Sequence, residues 1–75
     1  MRILITHDNG RPHGLGLGSL FVDGVPQGYV GTLRAIVQDS PDSVVTFSNA
    51  RLHATAGDPG RATLRAGNII DITEI

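Results

Sequence analysis

Short apolar runs separated by turn residues organise this chain of 75 residues. Arg2 to Thr6 is rich in β-formers and Asp8-Asn9-Gly10 closes it with turn chemistry, which predicts a first strand. In Arg11-Pro12-His13-Gly14-Leu15-Gly16-Leu17-Gly18 a glycine recurs at every second position, too great an entropic cost for a helix, so this segment reads as an excursion. Ser19-Leu20-Phe21-Val22, Asp23-Gly24 and Val25-Pro26-Gln27 then predict a short hairpin with a type I′ turn, its second arm demoted to an edge by Pro26.

From Tyr29 to Asp39 the odd positions Tyr29, Gly31, Leu33, Ala35 and Val37 oppose Val30, Thr32, Arg34, Ile36 and Gln38, a period of two that predicts a half-buried strand. Ser40-Pro41-Asp42-Ser43 turns the chain. The next strand is expected from Val44 to Thr55. Its apolar phase slips from Val45 and Phe47 to Ala50, Leu52 and Ala54, which is how a β-bulge near Ser48-Asn49 registers in sequence. Ala56-Gly57-Asp58-Pro59-Gly60 is a loop, Arg61 to Arg65 a strand with Ala62 and Leu64 on one face, and Ala66-Gly67-Asn68 a tight turn. The final strand, Ile69-Ile70-Asp71-Ile72-Thr73-Glu74-Ile75, carries isoleucine on both faces, too many for a free edge. The pattern as a whole predicts one small all-β domain of five or six strands over residues 1–75, strongly bent into a barrel, with residues 11–27 as an inserted glycine-rich loop and short hairpin.

Composition narrows what such a domain does. A chain this short buries only roughly 60% of the surface its unfolded form exposes, and small domains compensate with disulfides, a metal or oligomerisation. Cysteine is absent, which removes disulfides and thiolate zinc sites and leaves oligomerisation. No apolar run reaches the roughly 18 residues of a membrane span and Met1 to Ile5 is too short for a signal core, so the expected setting is cytoplasmic with no membrane partner. Net charge is −1, so no domain-wide basic field attracts nucleic acid and any such binding is local. Lysine is missing, and Arg2, Arg11, Arg34, Arg51, Arg61 and Arg65 supply all the positive charge, in a form suited to bidentate phosphate or carboxylate contact.

Catalytic chemistry finds little purchase. His7, His13 and His53 with Asp8 lack metal-ligand spacing, so no metal site and no cofactor is expected. The alternating glycines of Gly14, Gly16 and Gly18 precede no helix that would aim its N-terminus at a phosphate. No nucleophile, base and acid can be grouped, and no enzymatic activity is expected.

The order of pieces resembles the Sm-like (LSm/Hfq-type) family of small SH3-like barrels that form rings. The opening Arg2-Ile3-Leu4-Ile5-Thr6-His7-Asp8-Asn9-Gly10 is similar to the family's first strand, which ends in Asn-Gly. Gly31-Thr32-Leu33-Arg34, with Asp39 and then Ser43 before Val44-Val45, resembles its second strand and the Asp-x-x-x-Asn motif. Leu64-Arg65-Ala66-Gly67-Asn68-Ile69 is similar to its Arg-Gly turn, with the glycine one place later. The family's N-terminal helix is missing, residues 11–27 are extra, serine replaces the asparagine, and the stacking position falls near Pro41.

The resemblance implies a homo-oligomeric ring binding RNA or other single-stranded nucleic acid through Asp39, Ser43, Arg65, Gly67 and Asn68, chemistry suited to unpaired bases. Strand composition points to an oligomer interface through Ile69, Ile70, Ile72 and Ile75. Two further classes fit the same residues. One is a structural or assembly protein, for example viral, that pairs strand edges without nucleic acid. The other is a small-molecule or peptide-binding module in which Arg11 to Gln27 folds over one barrel face.

Overall fold

The computed structural model describes residues 1–8, 17–51 and 60–75. Within them the chain is mostly β, with strands β1 (Ile3–Asp8), β2 (Leu17–Val22), β3 (Val44–Arg51), β4 (Gly60–Arg65) and β5 (Ile69–Glu74) and one helix, α1 (Tyr29–Asp39). The five strands form one open antiparallel sheet in the order β4-β3-β2-β1-β5. The expected small five-stranded β domain is therefore present, and the expected bulge is too. Phe47 pairs with Ala62 but Ala50 with Gly60, so three steps on β3 match two on β4 and the extra residue falls at Ser48-Asn49.

Tyr29–Asp39, expected as a strand, is a helix. Val30, Leu33 and Val37 stand at i, i+3 and i+7, a helical stripe, and Val30 and Leu33 are buried where α1 lies on the sheet. Gly31 and Ala35, which alternation would group on one face with Leu33, are exposed while Leu33 is buried. Local chemistry sets both ends. Tyr29 N–H donates to the Pro26 carbonyl at 3.1 Å and Gly28 sits at φ 89°, ψ −10°, the geometry of a type II turn whose third residue is glycine. Thr32 N–H then donates to the Gly28 carbonyl, the first helical bond. At the other end Pro41 disfavours helical backbone for Ser40, which leaves the helix at φ −138°.

The hairpin expected over Ser19 to Gln27 does not form. Leu17–Val22 instead runs through the middle of the sheet, pairing with β1 from Ile3/Val22 to Asp8/Leu17 and with β3 at Phe21/Arg51 and Val22/Ala50. Gly24 takes the left-handed conformation a turn needs, φ 71°, but Val25 then inserts into the core and its N–H donates to the Met1 carbonyl. Apolar burial outweighs local turn preference here, since each fully buried valine or leucine is worth about 1.5–3 kcal/mol. The turn at Asn9-Gly10, the excursion 11–16, the expected strand end 52–55 and the loop 56–59 lie outside the described residues.

One face of the sheet holds the core. Ile3 and Ile5 of β1, Leu20 and Val22 of β2, Phe47 and Ala50 of β3, and Ile69 and Ile72 of β5 meet Val30 and Leu33 of α1. A second irregularity explains the isoleucines of β5. Thr6 faces Asp71 while His7 faces Ile69, so Ile70 is an extra residue that bulges outward, and Ile69 and Ile72, three apart, both point inward.

Candidate functional site

The segments picked out by the resemblance meet at one corner. Ser43 N–H closes the turn onto the Ser40 carbonyl, and Ala66 N–H donates to the Ser43 carbonyl at 2.7 Å. Gly67 N–H donates to the Pro41 carbonyl at 2.8 Å, and a Cβ on Gly67 would lie 3.0 Å from that oxygen, so glycine permits the approach. Ala66–Asn68 is a single 3₁₀ turn joining β4 to β5. Asp39, the last residue of α1, and Ser43 are exposed, and Asn68 is half-buried. Arg65 donates from Nη2 to Asp42 Oδ1 at 2.8 Å, an exposed pair worth at most about 1 kcal/mol. Arg65 is thus already engaged by the Asp42 carboxylate, which opposes phosphate contact at that guanidinium. Gly31-Thr32-Leu33 lies in α1, so that part of the resemblance falls on a helix where the family pattern has a strand.

The residues expected at an oligomer interface divide into two groups. Ile69 and Ile72 belong to the chain's own core, whereas Ile70 and Ile75 are 59% and 66% exposed. The edges themselves carry the more informative chemistry. Antiparallel ladders alternate bonded and non-bonded pairs. Ala66 N–H bonded to Ser43 and Ile75 N–H bonded to Arg2 set the phase at each edge. By that alternation the main-chain groups of Thr63 and Arg65 on β4, and of Ile72 and Glu74 on β5, turn toward the open edges.

Exposed side chains differ in sign between the two edges. β4 presents Arg61, Thr63 and Arg65, and β5 presents Asp71, Thr73 and Glu74. Arg34, reaching from α1, donates from Nη2 to the Ile72 carbonyl at 3.1 Å and so covers part of the β5 edge. Beside it a groove of about 250 Å³ runs between α1 and β5, lined by Arg34, Val37, Gln38, Ile70 and Asp71.

A second charged group was not visible in the sequence. Asp23 accepts from Arg2 Nε at 2.5 Å and Arg2 Nη2 at 3.3 Å, while Arg51 Nε lies 3.4 Å from its other side. The Arg2 hydrogen bond, reinforced by the charges of Arg2 and Arg51, holds the Asp23 carboxyl below its ordinary 3.8 against the opposing effect of desolvation. These partners are 21 and 28 positions apart, too far for any local pattern to pair them.

Among the described residues no group of three or more histidine, aspartate or glutamate side chains is placed to hold a metal ion. His7 lies on β1 with Nδ1 enclosed and without a hydrogen-bond partner, while His13 and His53 fall outside the described residues. Among those residues, no helix is long and apolar enough to cross a membrane. No family model, curated protein or solved structure matches the chain.

Proposed function

We propose that this chain is a non-catalytic assembly module that joins head to tail, the β4 edge of one copy against the β5 edge of the next, to build a closed ring as the Sm-like resemblance implies. The observation that carries the reading is the opposite charge of the two edges: Arg61 and Arg65 on β4, Asp71 and Glu74 on β5. Two different edges on one protomer make a heterologous contact, which propagates and closes into a ring when the rotation allows. Cross-strand pairs of opposite charge stabilise such a junction and like charges oppose it. Exposed Ile70 and Ile75 add apolar area at the β5 side. On docking, the incoming strand replaces Arg34 at the Ile72 carbonyl, so the edge is protected until a copy arrives. The corner at Pro41, Asp42 and Arg65 then lies next to each junction and organises it, and the Asp42 carboxylate on Arg65 favours assembly over nucleic-acid contact at that corner.

Charge exchange tests the reading. Arg61→Glu with Arg65→Glu makes both edges acidic, and Asp71→Arg with Glu74→Arg makes both basic. Each double variant should assemble about tenfold more weakly or worse than the parent, since the attraction between the β4 arginines and Asp71, which share the outer face of the sheet, becomes repulsion and the charge of the whole edge is reversed. Mixing the two variants should restore association, because each contact between unlike variants is then acidic against basic. Sedimentation velocity that shows no loss in either variant, or no rescue on mixing, would refute edge pairing.

A further inference from the structure

β3 outruns the strand beside it. β2 pairs with β3 at Phe21/Arg51 and Val22/Ala50, and the Asp23 N–H adds a bond to the Asn49 carbonyl at 3.0 Å before the chain turns away at Gly24. Among the described strands only β4 pairs with β3 from Val44 to Phe47, so this stretch has a neighbouring strand on one side alone. The bulge decides which residue serves the open side. Ala66 N–H on the Ser43 carbonyl sets the phase: Val45 and Phe47 direct their main-chain groups at β4, and those of Val44 and Thr46 turn the other way. Counting back from Asn49, whose carbonyl faces the β2 side, an unbroken strand would turn Phe47 there. The extra residue at Ser48-Asn49 puts Thr46 in that place and keeps Phe47 on the β4 ladder with its ring in the core.

A cavity of about 290 Å³ lies along this open side. Thr46, Ser48 and Asn49 line one wall, and Val25, Pro26 and Tyr29 line the other. Thr46, Ser48, Asn49 and Pro26 are exposed, so the cleft opens to solvent, while Val25 and Phe47 give it a buried apolar floor. Its size is at the small end of ligand sites, which span roughly 300–1,000 Å³, and suits a short extended segment. Asp23 is the one charged residue in its lining, and Arg2 and Arg51 already hold that carboxylate. A neutral occupant therefore matches it. The chain's own outer edges are charged, with Arg61 and Arg65 on β4 and Asp71 and Glu74 on β5, so a second copy does not.

We propose that this cleft binds an extended, uncharged peptide segment of another protein by strand addition to β3. One residue of the segment exchanges both main-chain hydrogen bonds with Thr46, and a small apolar side chain beside it rests on Val25 and Phe47. A main-chain donor and acceptor side by side on a strand are the complement of a peptide backbone, which supplies the affinity, while the shallow apolar floor selects the side chain. The proposal is independent of ring assembly, because it uses the inner side of β3 and leaves the outer edges of β4 and β5 untouched.

Selection from a library of capped pentapeptides of alanine, valine, threonine and serine on the immobilised full chain supplies the probe. Its most enriched member is then titrated into nitrogen-15-labelled protein. In the free chain the Thr46 amide should exchange with solvent faster than those of Val45 and Phe47, which bond to β4, and the peptide should slow it selectively. Thr46→Pro removes the N–H turned to the cleft and no bond of the β4 ladder. It should fold and bind about 2- to 12-fold more weakly, the worth of one main-chain hydrogen bond. Should that variant fail to fold by circular dichroism, the same peptide N-methylated at its central residues decides alone, since it cannot donate to β3 and should not bind. No enriched peptide, or unchanged affinity in folded Thr46→Pro, overturns the proposal. So does undiminished binding after N-methylation, which would mark an apolar pocket for small molecules, and so do shifts at Thr63 or Ile72 in place of Thr46, which would put the peptide on an outer edge.

Discussion

Gly31 distinguishes a helix from a strand at the segment where the two readings of this chain part. It is the third residue of α1, is exposed, has no atom within 4 Å of where a Cβ would stand, and does not adopt positive φ. An alanine there meets no steric resistance and removes the entropic cost of a helical glycine, a gain of about 0.5–1 kcal/mol. Valine gains less, because its branched Cβ loses rotamer freedom against the preceding turn. In a strand the order inverts, since valine suits a pleated surface and alanine is depleted there. The structure therefore ranks stability as Gly31→Ala above Gly31→Val above the parent. Thermal unfolding followed at 222 nm should place the alanine variant about 2–8 °C above the parent for a domain of this size. A valine variant more stable than the alanine variant would contradict the helix and restore the strand.

Other consequences are equally direct. Gly28 at φ 89° has open space around it, so Gly28→Ala should cost about 1–2 kcal/mol from backbone strain alone, and D-alanine at the same position, introduced by chemical synthesis, should abolish that loss in a urea melt. Arg2 holds the folded-state Asp23 carboxyl below its ordinary 3.8, so the stabilisation is complete above that value and is lost as pH falls through the lower folded-state value. Urea midpoints measured below pH 4 should therefore drop more steeply in the parent than in Asp23→Asn, and parallel curves would show that the carboxyl carries no such linkage.

Much of the sheet was legible because turns and alternation speak locally. β4 and β5 fall close to their expected places, as does the bulge at Ser48-Asn49, each marked by glycine, proline or a change of apolar phase. Alternation predicts a strand where the helix forms because Tyr29, Leu33 and Val37 are spaced by four, an even number, and so satisfy a period of two as well as a helical stripe. Val30, paired with Leu33 and Val37, and a length of 11 residues were the signals that favoured α1. Local turn chemistry predicts Val22 as the end of a hairpin arm, yet its register with Ile3 and Ala50 is set by contacts 19 and 28 residues away. The corner formed by Pro41, Ser43, Ala66 and Gly67 was anticipated from resemblance, and its hydrogen bonds bring those segments together. Its charge balance was not anticipated, because Asp42 becomes a partner of Arg65 only once β3 and β4 are paired. The same holds for Arg34, whose expected strand gave no reason to look for it at the β5 edge.

The measurement that bears most directly on edge-to-edge assembly is the mass of the full chain in solution, by native mass spectrometry alongside sedimentation velocity over a hundredfold range of concentration. Head-to-tail pairing of β4 with β5 predicts one closed species at a fixed integer multiple of the protomer mass, dissociating on dilution and with added salt as the arginine and carboxylate pairs are screened. A monomer across the whole range, or a dimer insensitive to salt and to the charge-exchanged edges, would contradict it.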